Sequence, residues 1–250
     1  MTLFRFLLLI VALAVLPAAT SFSNLKPFAV VELFTSEGCS SCPPADTILR
    51  DLVREADENN LNIYPLSFHV DYWNSLGWRD PFSKSTFTAR QWEYAKQFGQ
   101  AGVYTPEMVV NGQNGFGGYD RRLLDQYLRD ALKISPSISV HIYFNGRSHS
   151  MINVSFKIEG IINVSDHVLN VALVERDLQV DVTAGENKGA HLIHDNVVRK
   201  FQSVKLNNAV GEVQMSLPND FHPQKSALIA YIQSNGTKKT LAATRLDFPK

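Results

Sequence analysis

The chain has 250 residues, of which 45% are apolar and 19% are charged, and its 24 basic residues balance its 24 acidic residues. This length and apolar content allow one large domain or two modest ones, each with a substantial core. The neutral formal charge gives no indication of a nucleic-acid-binding surface, and no run of like charges suggests a disordered tail.

Residues 1–22 have the layout of a secretory signal peptide. The basic residue Arg5 precedes an almost wholly apolar segment over 6–16, and small residues follow it. The apolar segment is shorter than the roughly 20 residues that a membrane-spanning helix needs. We therefore predict cleavage between Ala18 and Ser23, and a periplasmic or secreted mature protein with no stable membrane insertion. An uncleaved N-terminal anchor is the alternative.

Residues 27–134 are predicted to form alternating strands and helices. Short apolar, β-branched runs indicate strands, and apolar residues at the spacing of one helix face indicate helices. The predicted strands lie near 28–34, 62–70 and 107–110, followed by an Asn-Gly turn and a return strand that begins at Phe116, and the predicted helices lie near 45–53, 82–98 and 121–134. This alternation is typical of an α/β domain.

Residues 135–250 change in character. From Ile138 to Phe144 apolar and polar residues alternate with the period of a strand. Six more β-rich segments follow, separated by turn-rich spacers: 151–158, 167–175, 197–204, 211–217, 226–233 and 239–246. Because the segment shows no obvious helix, we predict an antiparallel β-sandwich-like domain.

Both cysteines of the chain lie in one C-x-x-C motif, Cys39-Ser40-Ser41-Cys42. A disulfide across two residues restricts the unfolded chain little, so stabilisation alone explains the pair poorly. The motif stands between a strand and a helix, and the positive end of the helix dipole favours a thiolate. We predict a redox pair that forms a disulfide, with Cys39 as the exposed attacking thiol and Cys42 as the resolving thiol.

Three stretches of the chain match a known pattern: residues 31–46, His69-Val70-Asp71-Tyr72-Trp73 and Gly77-Trp78-Arg79-Asp80-Pro81-Phe82. They resemble a family of exported bacterial thioredoxin-like proteins of uncharacterised function. Gly185-Glu186-Asn187 is similar to that family as well. The resemblance implies an α/β thioredoxin-like domain with a helical insertion around 72–100, followed by the sandwich-like domain.

The same resemblance gives a role to Thr105-Pro106. Thioredoxin-like folds place a cis-proline opposite the C-x-x-C, just before a strand, and Met108-Val109-Val110 follows here. Pro106 is therefore expected to be cis and part of the catalytic site. The backbone at Thr105 is expected to bind an extended substrate.

His69 and Asp71 end the second predicted strand, which this fold places beside the first. His69 has three interpretations: a hydrogen-bonded histidine that supports the insertion, a helper in proton transfer, or a metal ligand with the two sulfurs. Asp71 is a possible helper too, although a cap for the following segment is the simpler role. Glu37 is expected to be solvated.

No resident metal is predicted. His191 and His194 lie three residues apart in a loop-like stretch where the sequence offers no nearby third ligand. C-x-x-C motifs that bind metals also usually come with a second ligand pair, which this sequence does not have.

The sequence leaves three functions open. The first is a thiol–disulfide oxidoreductase that needs no cofactor and acts on exported proteins or small-molecule thiols. The second is a soft-metal protein, for binding or delivery of copper, that uses two thiolates and His69. The third is a non-enzymatic binding module in which Cys39–Cys42 is a structural disulfide.

Overall fold

The computed structural model describes residues 25–160 and 162–248, so the predicted signal peptide over 1–22 lies outside the described residues. The first part contains β1 (Ala29–Thr35), α1 (Pro43–Glu58), β2 (Ile63–His69), α2 (Ser85–Gln97), β3 (Glu107–Val110), β4 (Asn114–Gly117) and α3 (Arg121–Ala131). The second part contains β5 (Ser139–Arg147), β6 (Met151–Glu159), β7 (His167–Glu175), β8 (Leu178–Asp181), β9 (His191–His194), β10 (Val197–Lys205), β11 (Val210–Ser216), β12 (Ser226–Ser234) and β13 (Thr240–Asp247).

Local sequence accounts for the elements around the cysteines. All seven residues of β1 are buried, as its continuous apolar run requires. Helix α1 begins with Pro43 and Pro44, whose fixed φ and missing N–H groups suit a first turn. Its buried residues recur at helical spacing: Ala45, Asp46, Leu49, Leu52, Val53 and Ala56. Four of them, Ala45, Leu49, Leu52 and Ala56, pack in one core with residues of the sheet.

Eight strands form one sheet in the order β13-β12-β7-β10-β2-β1-β3-β4. β1 runs parallel to β2 and antiparallel to β3. β10 joins β2 through a single parallel pair, Val197 opposite Ser67. On the far side of β10, strands β7, β12 and β13 pair antiparallel over their full lengths.

A second sheet, in the order β11-β6-β5, lies against the β7–β12–β13 region of the first. Strand β6 shows the alternation expected for one buried face, with Ile152, Val154, Phe156 and Ile158 inside. These residues pack with apolar residues of β7 and β12 in one core. β8 and β9 form a separate two-stranded hairpin.

The predicted elements of residues 27–134 are confirmed, although the return strand begins at Asn114 rather than Phe116. The seven predicted β segments of the second part are confirmed as well, and β8 and β9 were missed. The predicted boundary at residue 135 does not interrupt the large sheet, because the second part adds β7, β10, β12 and β13 to it. Residues 169–175 of β7 are buried without alternation, as in a strand that is covered on both faces.

A buried ion pair connects α2 to both parts of the large sheet. Arg90 donates from Nε to Glu32 Oε2 at 2.6 Å and from Nη2 to Glu32 Oε1 at 2.8 Å. Nη2 also donates to the hydroxyls of Tyr94, at 2.8 Å, and Tyr231, at 2.9 Å. Glu32 lies on β1 and Tyr231 on β12, and both are buried. This network therefore fixes α2 to β1 in the first part of the sheet and to β12 in the second part.

No helix within residues 25–160 and 162–248 is long and apolar enough to cross a membrane.

Candidate functional site

The predicted disulfide between Cys39 and Cys42 is confirmed. β1 ends at Thr35, a short turn follows, and Cys42 is the residue that precedes the first turn of α1. Within the turn, the Cys39 N–H donates to the Ser36 carbonyl at 3.1 Å and the Cys42 N–H donates to the Cys39 carbonyl at 3.2 Å. The pair is thereby fixed between the strand end and the helix start.

Few backbone donors are left for a sulfur at this helix start. Pro43 and Pro44 have no N–H, and the N–H groups of Ala45 and Asp46 donate to the Cys42 carbonyl at 2.9 and 3.1 Å. A hydroxyl group does lie close, because Ser41 Oγ is 3.3 Å from the sulfur of Cys39. A thiolate at Cys39 would therefore have the helix dipole and this hydroxyl as its local stabilising groups.

The expectation that Cys39 is exposed is wrong: both cysteines are fully buried. The β8–β9 loop, residues 182–190, covers the turn. Asn187 Nδ2 donates to the carbonyls of Glu37, at 2.8 Å, and Cys39, at 2.9 Å. The carboxylate of Glu186 accepts the N–H of Ser40 at 3.0 Å.

The Thr105–Pro106 peptide bond is cis, as expected. A methyl group on Gly118 would lie 3.2 Å from the Cβ atoms of both Ala45 and Pro106, so Pro106 adjoins the first turn of α1. Trp73 Nε1 donates to Thr105 Oγ1 at 2.8 Å, and the Trp73 Cβ closely approaches Gly38. Trp73 therefore connects the turn to Thr105.

His69 is fully buried, and its Nδ1 lies 2.7 Å from Asp80 Oδ2. Burial favours the neutral imidazole, but the carboxylates of Asp80, Asp46 and Glu37 outweigh this and raise the pKa of His69. Burial alone would raise the pKa of Asp80, but the charge and hydrogen bond of His69 outweigh it, so the pKa of Asp80 is lowered.

Asp71 makes a different set of contacts. Its Oδ1 accepts from the Thr88 hydroxyl at 2.6 Å, and its N–H donates to Thr88 Oγ1 at 3.1 Å. These bonds attach the chain after β2 to α2, but they are not a helix cap, because the Asp71 carboxylate accepts from a side-chain hydroxyl and not from a free N–H of a first turn. Its role as a helper stays a prediction.

Glu37 and His194 complete a buried polar cluster, defined here as Glu37, Asp46, His69, Asp80 and His194. The expectation of a solvated Glu37 is wrong, because its side chain is fully buried and Oε2 accepts from Trp78 Nε1 at 2.7 Å. His194 Nε2 lies 3.4 Å from Glu37 Oε1, and its Nδ1 lies 3.9 Å from Asp46 Oδ2. Burial raises the pKa of the Asp46 carboxyl, even though both histidines oppose the effect.

The expectation that His194 has no further ligand-type residues nearby is therefore wrong. Its ring centroid is 4.8 Å from that of His69. Strand β9, which the sequence did not predict, carries it under the cysteine turn. His191 lies at the other end of the same strand, exposed and paired with Asp181.

Residues 30–233 match the model of a family described as a protein of unknown function, DUF1223. The chain belongs to the DUF1223 family. Among solved structures, protein AGR_C_4864 from Agrobacterium tumefaciens is 29% identical, with a TM-score of 0.63 over 90% of this chain and 96% of that one. HBP35 of Porphyromonas gingivalis is 13% identical, with a TM-score of 0.64 over 90% of this chain and 76% of that one, which is a likeness of fold alone. No curated protein matches the chain significantly.

Glu186 and Asn187 are the contacts to the cysteine turn that sequence reasoning missed in this DUF1223 protein. The resemblance noted for Gly185-Glu186-Asn187 was the one available signal, and it gave no position in space. The loop reaches the turn through the β8–β9 hairpin, whose strands of four residues each are too short to stand out.

The Asn187→Ala variant is expected to expose the disulfide to external thiols. It removes two hydrogen bonds of about 1 kcal/mol each, so reduction of Cys39–Cys42 by dithiothreitol should become faster on the order of tenfold. Stopped-flow or gel-based counting of free thiols measures this rate. Lys188→Ala, in the exposed neighbouring residue, is the matched control and should reduce at the wild-type rate. Equal rates for Asn187→Ala and wild type would show that the loop does not limit access.

Proposed function

We propose that this DUF1223 protein is a thiol–disulfide oxidoreductase that works through Cys39 and Cys42 in an exported compartment. The observation that carries the proposal is the disulfide held at the N-terminal end of α1, directly after the buried strand β1. Trp73, which approaches Gly38 of this turn and donates to Thr105 Oγ1, and Pro106, which lies near Ala45, support the proposal. We interpret the first part of the chain as a thioredoxin-like domain in which α2 belongs to the helical insertion.

The proposed reaction proceeds through a mixed disulfide. The Cys39 thiolate attacks one sulfur of a partner disulfide, which forms a Cys39–partner bond and releases the other partner sulfur as a thiolate. The Cys42 thiolate then attacks Cys39 Sγ, which re-forms Cys39–Cys42 and releases the second partner thiolate. Two electrons pass from the pair to the partner, and the reverse sequence oxidises a partner dithiol.

Access sets the order of events. Because Cys39 is buried, the β8–β9 loop must leave the turn before a partner sulfur can reach it. The side chains of Ser40 and Ser41 are exposed and mark the point where a partner would arrive. Exported proteins and small-molecule thiols both suit such an entry point, and Thr105 would position an extended substrate beside it.

Burial of both cysteines favours a second candidate, in which Cys39–Cys42 is a structural disulfide in a non-enzymatic binding module. The two candidates differ in redox behaviour. A structural bridge resists reduction by glutathione, whereas a working pair exchanges with it.

Equilibration with glutathione buffers tests the proposal. The oxidised protein is incubated over a range of reduced-to-oxidised glutathione ratios, and the free thiols are alkylated and counted by mass. We expect a two-electron transition of Cys39–Cys42 within that range, together with faster glutathione-dependent reduction of a protein disulfide such as that of insulin. A pair that stays oxidised at every ratio and accelerates no exchange would contradict the proposal and support the structural disulfide.

A further inference from the structure

The buried polar cluster contains several polar atoms that hydrogen-bond to no group in the described part of the chain. Glu37, His69 and His194 are each at most 2% exposed. Nowhere in the described part of the chain does a group hydrogen-bond to His69 Nε2, Glu37 Oε1 or either nitrogen of His194. Each buried polar atom left without a partner costs about 1–3 kcal/mol. Several such atoms in one place point to a bound species that satisfies them.

His69 Nε2 has no partner because the hydrogen bonds of Asp80 fix the ring through its other nitrogen, Nδ1. Asp80 Oδ2 contacts His69 Nδ1 at 2.7 Å and accepts the Glu37 N–H at 2.9 Å. Asp80 Oδ1 accepts the Phe82 N–H at 2.8 Å. His69 is thus fixed through Nδ1, and Nε2 is left for another ligand. A carboxylate on one imidazole nitrogen is the usual support for a histidine that binds metal through the other.

His194 also has a carboxylate near Nδ1, but no hydrogen bond joins the two groups. Its Nδ1 faces Asp46 Oδ2 at 3.9 Å, while its Nε2 faces Glu37 Oε1 at 3.4 Å. The other oxygen of Glu37 is occupied by Trp78 Nε1 at 2.7 Å, so Oε1 is the free one. Both histidines therefore have a carboxylate on the Nδ1 side.

The charges in the cluster also favour a cation. Asp46, Asp80 and Glu37 bring three carboxyl groups into a space that is closed to solvent. One donor atom each of Glu37, His69 and Asp80 lie within 4.8 Å of one another, and His194 Nε2 lies 3.4 Å from Glu37 Oε1, so Glu37 belongs to both groups. A divalent cation would offset negative charge that burial otherwise makes costly.

We propose that Glu37 Oε1, His69 Nε2 and His194 Nε2 bind one divalent transition-metal ion, with Asp80 and Asp46 as positioning residues. Two imidazole nitrogens and one carboxylate oxygen suit Zn²⁺ and its neighbours in the first row better than Ca²⁺ or Mg²⁺. Glu37 precedes Cys39 by two residues, so the ion would lie directly behind the cysteine turn. The site uses neither sulfur and does not depend on the proposed redox function.

Zinc titration of the disulfide-bonded full chain tests the site. The protein is treated with a chelator, desalted and titrated with Zn²⁺ in a calorimeter, and Co²⁺ is added in parallel as a spectroscopic probe. We expect one equivalent of each ion, and visible Co²⁺ bands without a sulfur-to-cobalt charge-transfer band. Absence of stoichiometric binding, or binding that appears only after reduction of Cys39–Cys42, would overturn the proposal. The latter result would assign the metal to the thiolates.

Variants locate the ion. His194→Ala should abolish the stoichiometric binding, and Asp80→Asn should weaken it by about 10–100-fold, as losses of supporting groups do. His191→Ala is the matched control, because His191 lies on the same strand but is exposed, and it should bind as wild type does. Wild-type affinity in His194→Ala would refute the assignment. Should that variant fail to fold, ¹⁵N imidazole shifts of the wild type decide: Zn²⁺ must move the Nε2 signals of both buried histidines.

Discussion

The Cys39→Ser variant is expected to lose thiol–disulfide exchange down to the rate of the uncatalysed glutathione control. Serine keeps the size of the side chain, but a hydroxyl at neutral pH is neither a thiolate nor able to form a disulfide. Fluorescence assays of insulin or glutathione-adduct reduction measure the loss. Ser216→Ala is the control, because Ser216 is an exposed serine on β11, in the second sheet. This control should retain wild-type activity.

The Cys42→Ala variant should have the opposite effect on partners. Without the resolving sulfur, Cys39 forms a mixed disulfide that only an external thiol can release. Non-reducing gels and mass spectrometry should show covalent adducts with glutathione and with disulfide-bearing proteins, and Cys39→Ser should show none. Adducts that form in Cys39→Ser through Cys42 instead would reverse the assigned roles of the two cysteines.

The second large effect is expected from Arg90→Ala. Glu32, which is 1% exposed beside Arg90, would be left with an uncompensated charge, and Tyr94 and Tyr231 would each lose a hydrogen bond. Removing one partner of a buried ion pair costs about 3–5 kcal/mol in the free energy of unfolding. Urea denaturation followed by tryptophan fluorescence and circular dichroism measures the change.

An exposed arginine provides the comparison. Arg54 lies on α1 with a largely exposed side chain, and its ion pair is with Asp51 in the same helix. Arg54→Ala should change the free energy of unfolding by only about 0.5 kcal/mol. If Arg90→Ala were no more destabilising than Arg54→Ala, the Glu32–Arg90 network would have no role in holding α2 to the sheet.

Local patterns were sufficient to predict most elements. Helix α1 follows from its apolar spacing and its two initial prolines, and strand β6 from its strict alternation. Strand β12 was predicted as one strand of a separate sandwich, yet eight successive residues, 226–233, are buried. Its residues do not alternate between apolar and polar, because both faces of the strand are covered. Local sequence also does not determine which strands pair with it.

The residues of the candidate site could also be predicted only in part. Cys39 and Cys42 follow from a short motif and Pro106 follows from the family resemblance, whereas the expected exposure of Cys39 is wrong. Exposure depends on which distant segment packs on the turn, and here that segment is the loop carrying Asn187. The same limit applies to His194, whose neighbours Glu37 and His69 are more than a hundred residues away in the chain.

The junction between β2 and β10 has a consequence for descent. Only one residue pair joins these strands, supported by Asn196 Nδ2, which donates to the Pro65 carbonyl at 2.9 Å. Yet the second part supplies Asn187, His194 and Tyr231 to features built on the first. A gene fragment that encodes the cysteines alone would yield an open sheet edge and an uncovered turn. The family match extends across both parts, from residue 30 to residue 233.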